Sequence, residues 1–191
     1  NSDAVALIYG SEFRGAVEEI RGRLPHIKSF IEVGEDTARF AEDYETLAMA
    51  GDGSKLGIKR GADDMLFIYT GGTTGMPKGV MWQHGDLIRI WQTRLARTIG
   101  IAPESLATFG MMVKAAPVGP VCLPACPLMH GTGFISASTA MLSGGCVVTV
   151  DNIHLDPAAI WRAVEKNRVS SIAIVGDPFA KPLLKELDDN P

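Results

Sequence analysis

The chain has 191 residues, 46% of them hydrophobic and 21% charged, with a formal net charge of −4. That length fits one domain or one large subdomain and hides roughly 70% of the unfolded surface. The composition excludes a disordered tail, a collagen-like chain and a disulfide-dense mini-protein. The acidic balance argues against a nucleic-acid binder held by a basic face. Three cysteines, Cys122, Cys126 and Cys146, cannot all pair within the chain, which favours a reducing cytoplasm. The first residues have no basic n-region and no signal-peptide pattern.

In chain order, Val5–Tyr9 is an apolar run closing on Gly10 and predicts a buried strand. Ser11 is placed to cap a helix carrying Phe13, Val17, Ile20 and Leu24, with Pro25 as its stop. Ile27–Val33 predicts the next strand, Asp43–Ala50 a weaker helix, and Gly51–Ser54 a loop. Met65–Tyr69 predicts a strand feeding a Gly/Thr-rich turn. Leu87, Ile90, Trp91, Arg94 and Leu95 then share one side of a helix, the Arg stem packing along its edge.

Residues 120–127 read as extended, 134–142 as helical and Cys146–Val150 as a strand. Asp156 is a good N-cap with Pro157 at the first helical position, and Ile160, Trp161 and Val164 give that helix an apolar face. Ser171–Val175 predicts a strand and Phe179–Leu187 a helix. Ala115–Val150 lacks any charged residue, but its prolines and glycines break a continuous helix, so a strand–helix–strand passage inside an α/β domain is preferred over a membrane span. Alternating strands and helices predict an α/β fold, a mostly parallel sheet with helices on both faces and Met65–Tyr69 as an inner strand. The abrupt ends suggest a piece of something longer, with a first section over 1–60 and a second over 61–191.

The densest signal is Tyr69-Thr70-Gly71-Gly72-Thr73-Thr74-Gly75-Met76-Pro77-Lys78-Gly79. Glycines let the backbone turn with positive φ and let N–H groups approach an anion closely. Threonine hydroxyls add short donors, and Lys78 adds a mobile positive charge for phosphate. No Gly-Lys pair exists, so this is not a Walker A loop. Gly-x-Gly-x-x-Gly, Gly-x-Ser-x-Gly and His-Glu-x-x-His are absent as well.

That string, continued by Val80 and followed by His84, resembles the AMP-binding signature of the adenylate-forming superfamily, which contains acyl-CoA synthetases, peptide-synthetase adenylation domains and luciferases. Pro127-Leu128-Met129-His130-Gly131-Thr132-Gly133 resembles the family's next motif, at a fitting spacing. The resemblance covers nearly the whole chain, as the central part of a large N-terminal domain. Val80–His84 and Ile174–Leu184 look most like actinobacterial fatty-acid and steroid-side-chain CoA ligases. Val175-Gly176-Asp177 departs from the Val-Pro-Thr or Val-Pro-Pro of many relatives.

The resemblance implies a two-step reaction. The carboxylate of a fatty or other hydrophobic acid attacks the α-phosphate of ATP and expels pyrophosphate, leaving an acyl-adenylate, and the thiol of coenzyme A then displaces AMP. It implies that Thr70, Gly71, Gly72, Thr73, Thr74, Gly75 and Lys78 hold the ATP phosphates, with Mg²⁺ screening the remaining charge. His130 orients the carboxylate and the α-phosphate, and Gly176 and Asp177 are candidates for the acyl site. Asp177 reads equally as a cap for the helix at Pro178. Two alternatives are an acyl-AMP ligase loading a carrier protein and a non-catalytic nucleotide- or acyl-binding relative.

The family's metal-binding glutamate, adenine site and catalytic lysine have no counterpart here, so the isolated piece is expected to be inactive and prone to self-associate. Cys122, Cys126 and His130 recur every four residues, but a fourth zinc ligand is lacking and Pro124 and Pro127 spoil a helical face, so no metal site is expected.

Overall fold

Short apolar runs closed by glycine or proline become strands in both of the units into which the chain divides, Asn1–Lys59 and Arg60–Pro191. The structure, a computed structural model, describes residues 3–71, 75–99, 104–115, 119–152 and 154–190, without the side chains of Leu95, Thr98 and Ile99.

In the first unit β1 (Ala6–Gly10) and β2 (Ser29–Val33) run parallel, Ala6 opposite Ser29 and Gly10 opposite Val33. A short third strand, β3 (Glu42–Asp43), joins β2 in the same direction. The crossover expected as one helix is instead α1 (Arg14–Ile20) flanked by single 3-10 turns at Ser11–Phe13 and Arg21–Arg23. Ser11 does not cap it: Gly10 and Phe13 stand at the two N-cap positions, with no side-chain bond. Gly15 and Gly22 weaken helix propagation here, and of the expected apolar stripe Val17 alone is buried. The short helix α2 (Tyr44–Met49) is capped by Asp43, whose carboxylate accepts the Thr46 N–H at 2.7 Å.

The first unit buries one carboxylate. Glu32 is 0% exposed and accepts from Tyr9 Oη at 2.9 Å, Arg14 Nε at 2.8 Å and the Ala38 N–H at 3.3 Å. Burial alone would push its carboxyl up; the bonds from Tyr9, Ala38 and Arg14 outweigh burial and hold it below the usual glutamate range. Burial first, and then the bond to Glu32, push the Tyr9 phenol up to about 12.

A phenol whose folded value lies above its unfolded value of about 10 leaves stability level below pH ~10 and removes it as pH rises from there to about 12. Glu32 gives the opposite limb: its contribution is present above the ordinary glutamate value and is lost as pH falls through its lowered one. Tyr9→Phe is therefore expected to cost about 1.5–3 kcal/mol, one hydrogen bond to a charged acceptor. Urea melts across pH should also show the alkaline limb flattened in that variant.

In the second unit Met65–Tyr69 does form a strand, β4 (Met65–Thr70), but it is not an inner strand of a parallel sheet. It pairs antiparallel with β5 (Lys78–Gln83), Met65 opposite Gln83 and Thr70 opposite Lys78, in a two-stranded sheet. A parallel return needs a crossover of a dozen or more residues, and 71–77 is too short for one. One face of this hairpin, Leu66 and Trp82, packs on a core of Leu87, Trp91 and Phe109. Leu87 and Trp91 belong to α3 (His84–Ile99) and Phe109 to α4 (Leu106–Ala115), a helix absent from the sequence reading. Ile90, expected on the buried side of α3, is 38% exposed.

The remaining sheet is parallel, ordered β7-β6-β8, with β6 (Val121–Pro124) between β7 (Cys146–Val147) and β8 (Ser171–Ala173). Helix α5 (Gly131–Leu142) packs along it. Leu123, 1% exposed, packs with Ile160 and Leu183 of α6 (Pro157–Asn167) and α7 (Asp177–Asp189). Asp156 caps α6 by accepting the Ala159 N–H at 2.9 Å, with Pro157 in the first turn, as expected. The architecture is thus α/β with parallel sheets, plus one antiparallel hairpin. Among the described residues no helix is long and apolar enough to cross a membrane.

Candidate functional site

The Gly/Thr loop closes the β4–β5 hairpin. Thr70 and Lys78 are its last paired residues, and Thr70 Oγ1 donates to the Lys78 carbonyl at 3.3 Å. Gly71, Gly75 and the Lys78 side chain are exposed at that end, while Gly72, Thr73 and Thr74 lie outside the described residues. Strand pairing at 70 and 78 fixes both ends of the loop, so any ligand held there meets a rigid base.

Gly75 has φ +138°, a conformation L side chains rarely adopt, and a Cβ there would meet nothing within 4 Å. Gly75→Ala therefore tests backbone strain alone. It is expected to cost about 1–3 kcal/mol of the loop's conformation, read as faster proteolysis within 70–78.

His130 stands at the N-cap of α5. Its Nδ1 accepts the Thr132 N–H at 3.1 Å, which leaves the proton of the neutral ring on Nε2. The side chain is exposed and so presents an N–H beside a helix N-terminus, a pairing that suits an anion. The turn before it is tight. A Cβ on buried Gly133 would lie 2.5 Å from the Pro127 carbonyl, so glycine there lets α5 start directly against the end of β6. Sequence reasoning placed His130 by motif; its capping bond was legible only from the structure.

Gly176 and Asp177 follow β8, whose C-terminal end lies at the same sheet edge as that of β6, the edge at which open parallel sheets bind ligands. Gly176 is the N-cap of α7 at φ +68° and carries no side-chain cap. The capping reading of Asp177 is corrected: it is the first helical residue, and its exposed carboxylate pairs with Lys181 at 3.1 Å. The chain thus holds Thr70, Gly71, Gly75 and Lys78 together at one hairpin end, and His130, Gly176 and Asp177 along one sheet edge. Helix α3 links the two parts: its base packs under the hairpin, and Trp91 Nε1 donates to Thr139 Oγ1 of α5 at 3.0 Å.

Beside that sheet edge, on the α6–α7 face, lies a cavity of about 520 Å³. Leu123, Val150, Ile160 and Phe179 give it apolar walls, and Asn152 and His154 give it a polar side. Asn152 and His154 escaped the sequence reading; their only signal is a place just after a strand and before a capped helix. Cys126 also lines it, and burial pushes that thiol up, away from nucleophilic use. Among the described residues no group of three or more His, Cys, Asp or Glu is arranged to hold a metal ion.

The sequence profile of AMP-binding enzymes matches residues 1–188. The chain belongs to that family. Within it, the chain is 33% identical over 199 residues to the medium-chain acyl-CoA ligase Mig of Mycobacterium avium, covering 98% of this chain and 35% of that protein. It is also 33% identical over 196 residues to a medium/long-chain-fatty-acid–CoA/3-oxocholest-4-en-26-oate–CoA ligase of Mycolicibacterium smegmatis, covering 98% and 34%. The fold matches the crystal structure of an assigned long-chain-fatty-acid CoA ligase from Rhodopseudomonas palustris with a TM-score of 0.71 at 23% identity, over 96% of this chain and 41% of that one. This AMP-binding chain spans about a third of the length of the curated relatives it matches.

Proposed function

We infer that this AMP-binding chain is the central part of the N-terminal domain of an ATP-dependent carboxylate–CoA ligase acting on a fatty or other hydrophobic acid in the cytoplasm. The supporting observation is the hairpin whose glycine- and threonine-rich end carries the family signature, in a chain matched along 98% of its length by actinobacterial acyl-CoA ligases.

The first step brings a carboxylate against a triphosphate, so positioning and charge neutralisation dominate its barrier. The loop 70–78 would cradle the β- and γ-phosphates through backbone N–H groups, threonine hydroxyls and Lys78. The Nε2–H of His130 and the α5 N-terminus would face the carboxylate and the α-phosphate. When bound, Mg²⁺ would screen the charge of the phosphates. The thiol of coenzyme A would then take the acyl group from the adenylate.

The test is pyrophosphate release by the complete protein with ATP and a panel of carboxylic acids, followed by mass analysis of the product with coenzyme A present. Acid-dependent pyrophosphate and an acyl-CoA product are expected. Acid-dependent pyrophosphate with no thioester would turn the reading toward a carrier-protein acceptor, and no pyrophosphate with any acid would overturn it.

A further inference from the structure

One polar contact within the second unit joins the two parts of the candidate site. Trp91 of α3 is 8% exposed and belongs to the core on which Leu66 and Trp82 of the hairpin pack. Its Nε1 donates to Thr139 Oγ1 of α5 at 3.0 Å. One side chain thus touches both the body that carries the loop 70–78 and the helix that begins after His130.

The Thr139 hydroxyl is fully used. It donates its proton to the Ile135 carbonyl at 2.6 Å, and it accepts from Trp91 and, at 3.4 Å, from Arg94 Nη1. A hydroxyl has one proton and two lone pairs, so turning this side chain away would break all three bonds.

We propose that Trp91 and Thr139 are positioning residues for adenylate formation, which hold the phosphate loop in register with His130. The proposal rests on the ligase reading above. In that reading the hairpin end holds the β- and γ-phosphates, and His130 faces the α-phosphate. These are neighbouring groups of one short molecule, so the two parts of the protein must keep a fixed separation, to within about 0.5 Å. Each part is rigid by itself. Strand pairing at Thr70 and Lys78 fixes the loop's base, and the close approach of Gly133 to the Pro127 carbonyl fixes the start of α5.

What is left to fix is the register between them. Leu142 of α5 also packs on the Trp91 core. Such apolar contact is non-directional and holds the parts together without setting their register. A hydrogen bond weakens steeply away from its preferred angle, and so sets it. No chemistry passes through either residue: Thr139 lies about 14 Å along the helix axis from His130.

The test is single-turnover pyrophosphate release by the complete protein at saturating ATP and acid. Its amplitude counts the molecules able to react, and its rate constant reports how well each is arranged. Trp91→Phe keeps a ring in the core without the N–H, and Thr139→Val keeps the side-chain shape without the hydroxyl. Each is expected to lower the rate constant about 10–100-fold, as a slip of about 1 Å can, with the amplitude kept and the KM for ATP within about threefold of the parent's. The double variant should be slower than the slower single by no more than about threefold, because both changes remove the same bond. Thr139→Ser keeps the acceptor and should recover to within about threefold of the parent.

Parent-like rate constants in Trp91→Phe and Thr139→Val overturn the proposal. So does a loss confined to the amplitude or the melting temperature, which is what a bond of purely structural value would give. Multiplicative slowing in the double variant overturns it as well, since the two residues would then act separately. If Thr139→Val does not fold, Trp91→Phe and Thr139→Ser carry the same comparison. A parent that releases no pyrophosphate with any acid overturns the ligase reading and this proposal with it, whereas an active parent beside unaffected variants overturns this proposal alone.

Discussion

His130→Ala is expected to slow adenylate formation by about 10²–10³-fold, the usual loss on removing one preorganised donor aimed at developing charge. The same change also removes a helix cap, which costs about 0.5–2 kcal/mol of stability. The two effects separate because they use different ring nitrogens. Nδ1 accepts the Thr132 N–H and holds α5 in place. Nε2 carries the proton of the neutral ring and, in the proposed role, would donate it to an anion before the helix. Asparagine is among the best N-caps but is shorter and cannot place an N–H where Nε2 stands.

His130→Asn should therefore melt close to the parent protein and still form adenylate slowly. Single-turnover pyrophosphate release and a thermal melt on both variants give the answer. If His130→Asn restores rate as well as stability, the histidine serves the helix and not the reaction. The thioester step, started from supplied acyl-adenylate, should be slowed less than the first step in either variant.

How legible the site was depends on how local each feature is. Asp156 and Pro157 form a helix start within a few residues, and the structure shows the expected cap bond. The strand at Met65–Tyr69 and its glycine-rich loop were likewise readable from neighbours in the chain. The hairpin was not, because its partner strand Lys78–Gln83 looks unremarkable by itself. Val80 and Met81 stay exposed, and the strand is recognised by pairing with β4 and by Trp82 reaching the α3 core. Buried Glu32 was also invisible: its partners Tyr9, Arg14 and Ala38 come from three separate segments, and only the parallel pairing of β1 and β2 brings them together. The positions of His130 and Gly176 follow the same logic, since motif names the residue but strand order puts both at one sheet edge.

Gly145→Ala is expected to be among the most damaging single-methyl changes in the chain. Helix α5 ends at a left-handed Gly144, φ +74°, and the chain then turns into β7 directly against the entry to β6. A Cβ on Gly145 would lie 1.9 Å from the Pro120 carbonyl and 2.8 Å from the Pro120 nitrogen. From the other side, a Cβ on Gly119 would lie 2.2 Å from the Gly144 carbonyl carbon. All of these are backbone atoms, so no side chain can swing away to make room. The two segments must part, and the bonds from the Cys146 N–H to the Pro120 carbonyl, 3.0 Å, and from the Val148 N–H to the Cys122 carbonyl, 2.9 Å, part with them.

Overpacking of this kind costs about 3 kcal/mol or more, or a melting temperature lower by roughly 10 °C for a chain of this size. Because β6 leads straight into the His130 turn, adenylate formation should also fall at temperatures where the variant is still folded. Gly110→Ala supplies the control. It adds the same methyl inside α4, where a Cβ meets nothing within 4 Å, and should stabilise by about 0.5–1 kcal/mol through helix propensity. Opposite shifts in the two melting curves are expected, and parent-like melting of Gly145→Ala would mean that the two glycine segments do not meet in solution.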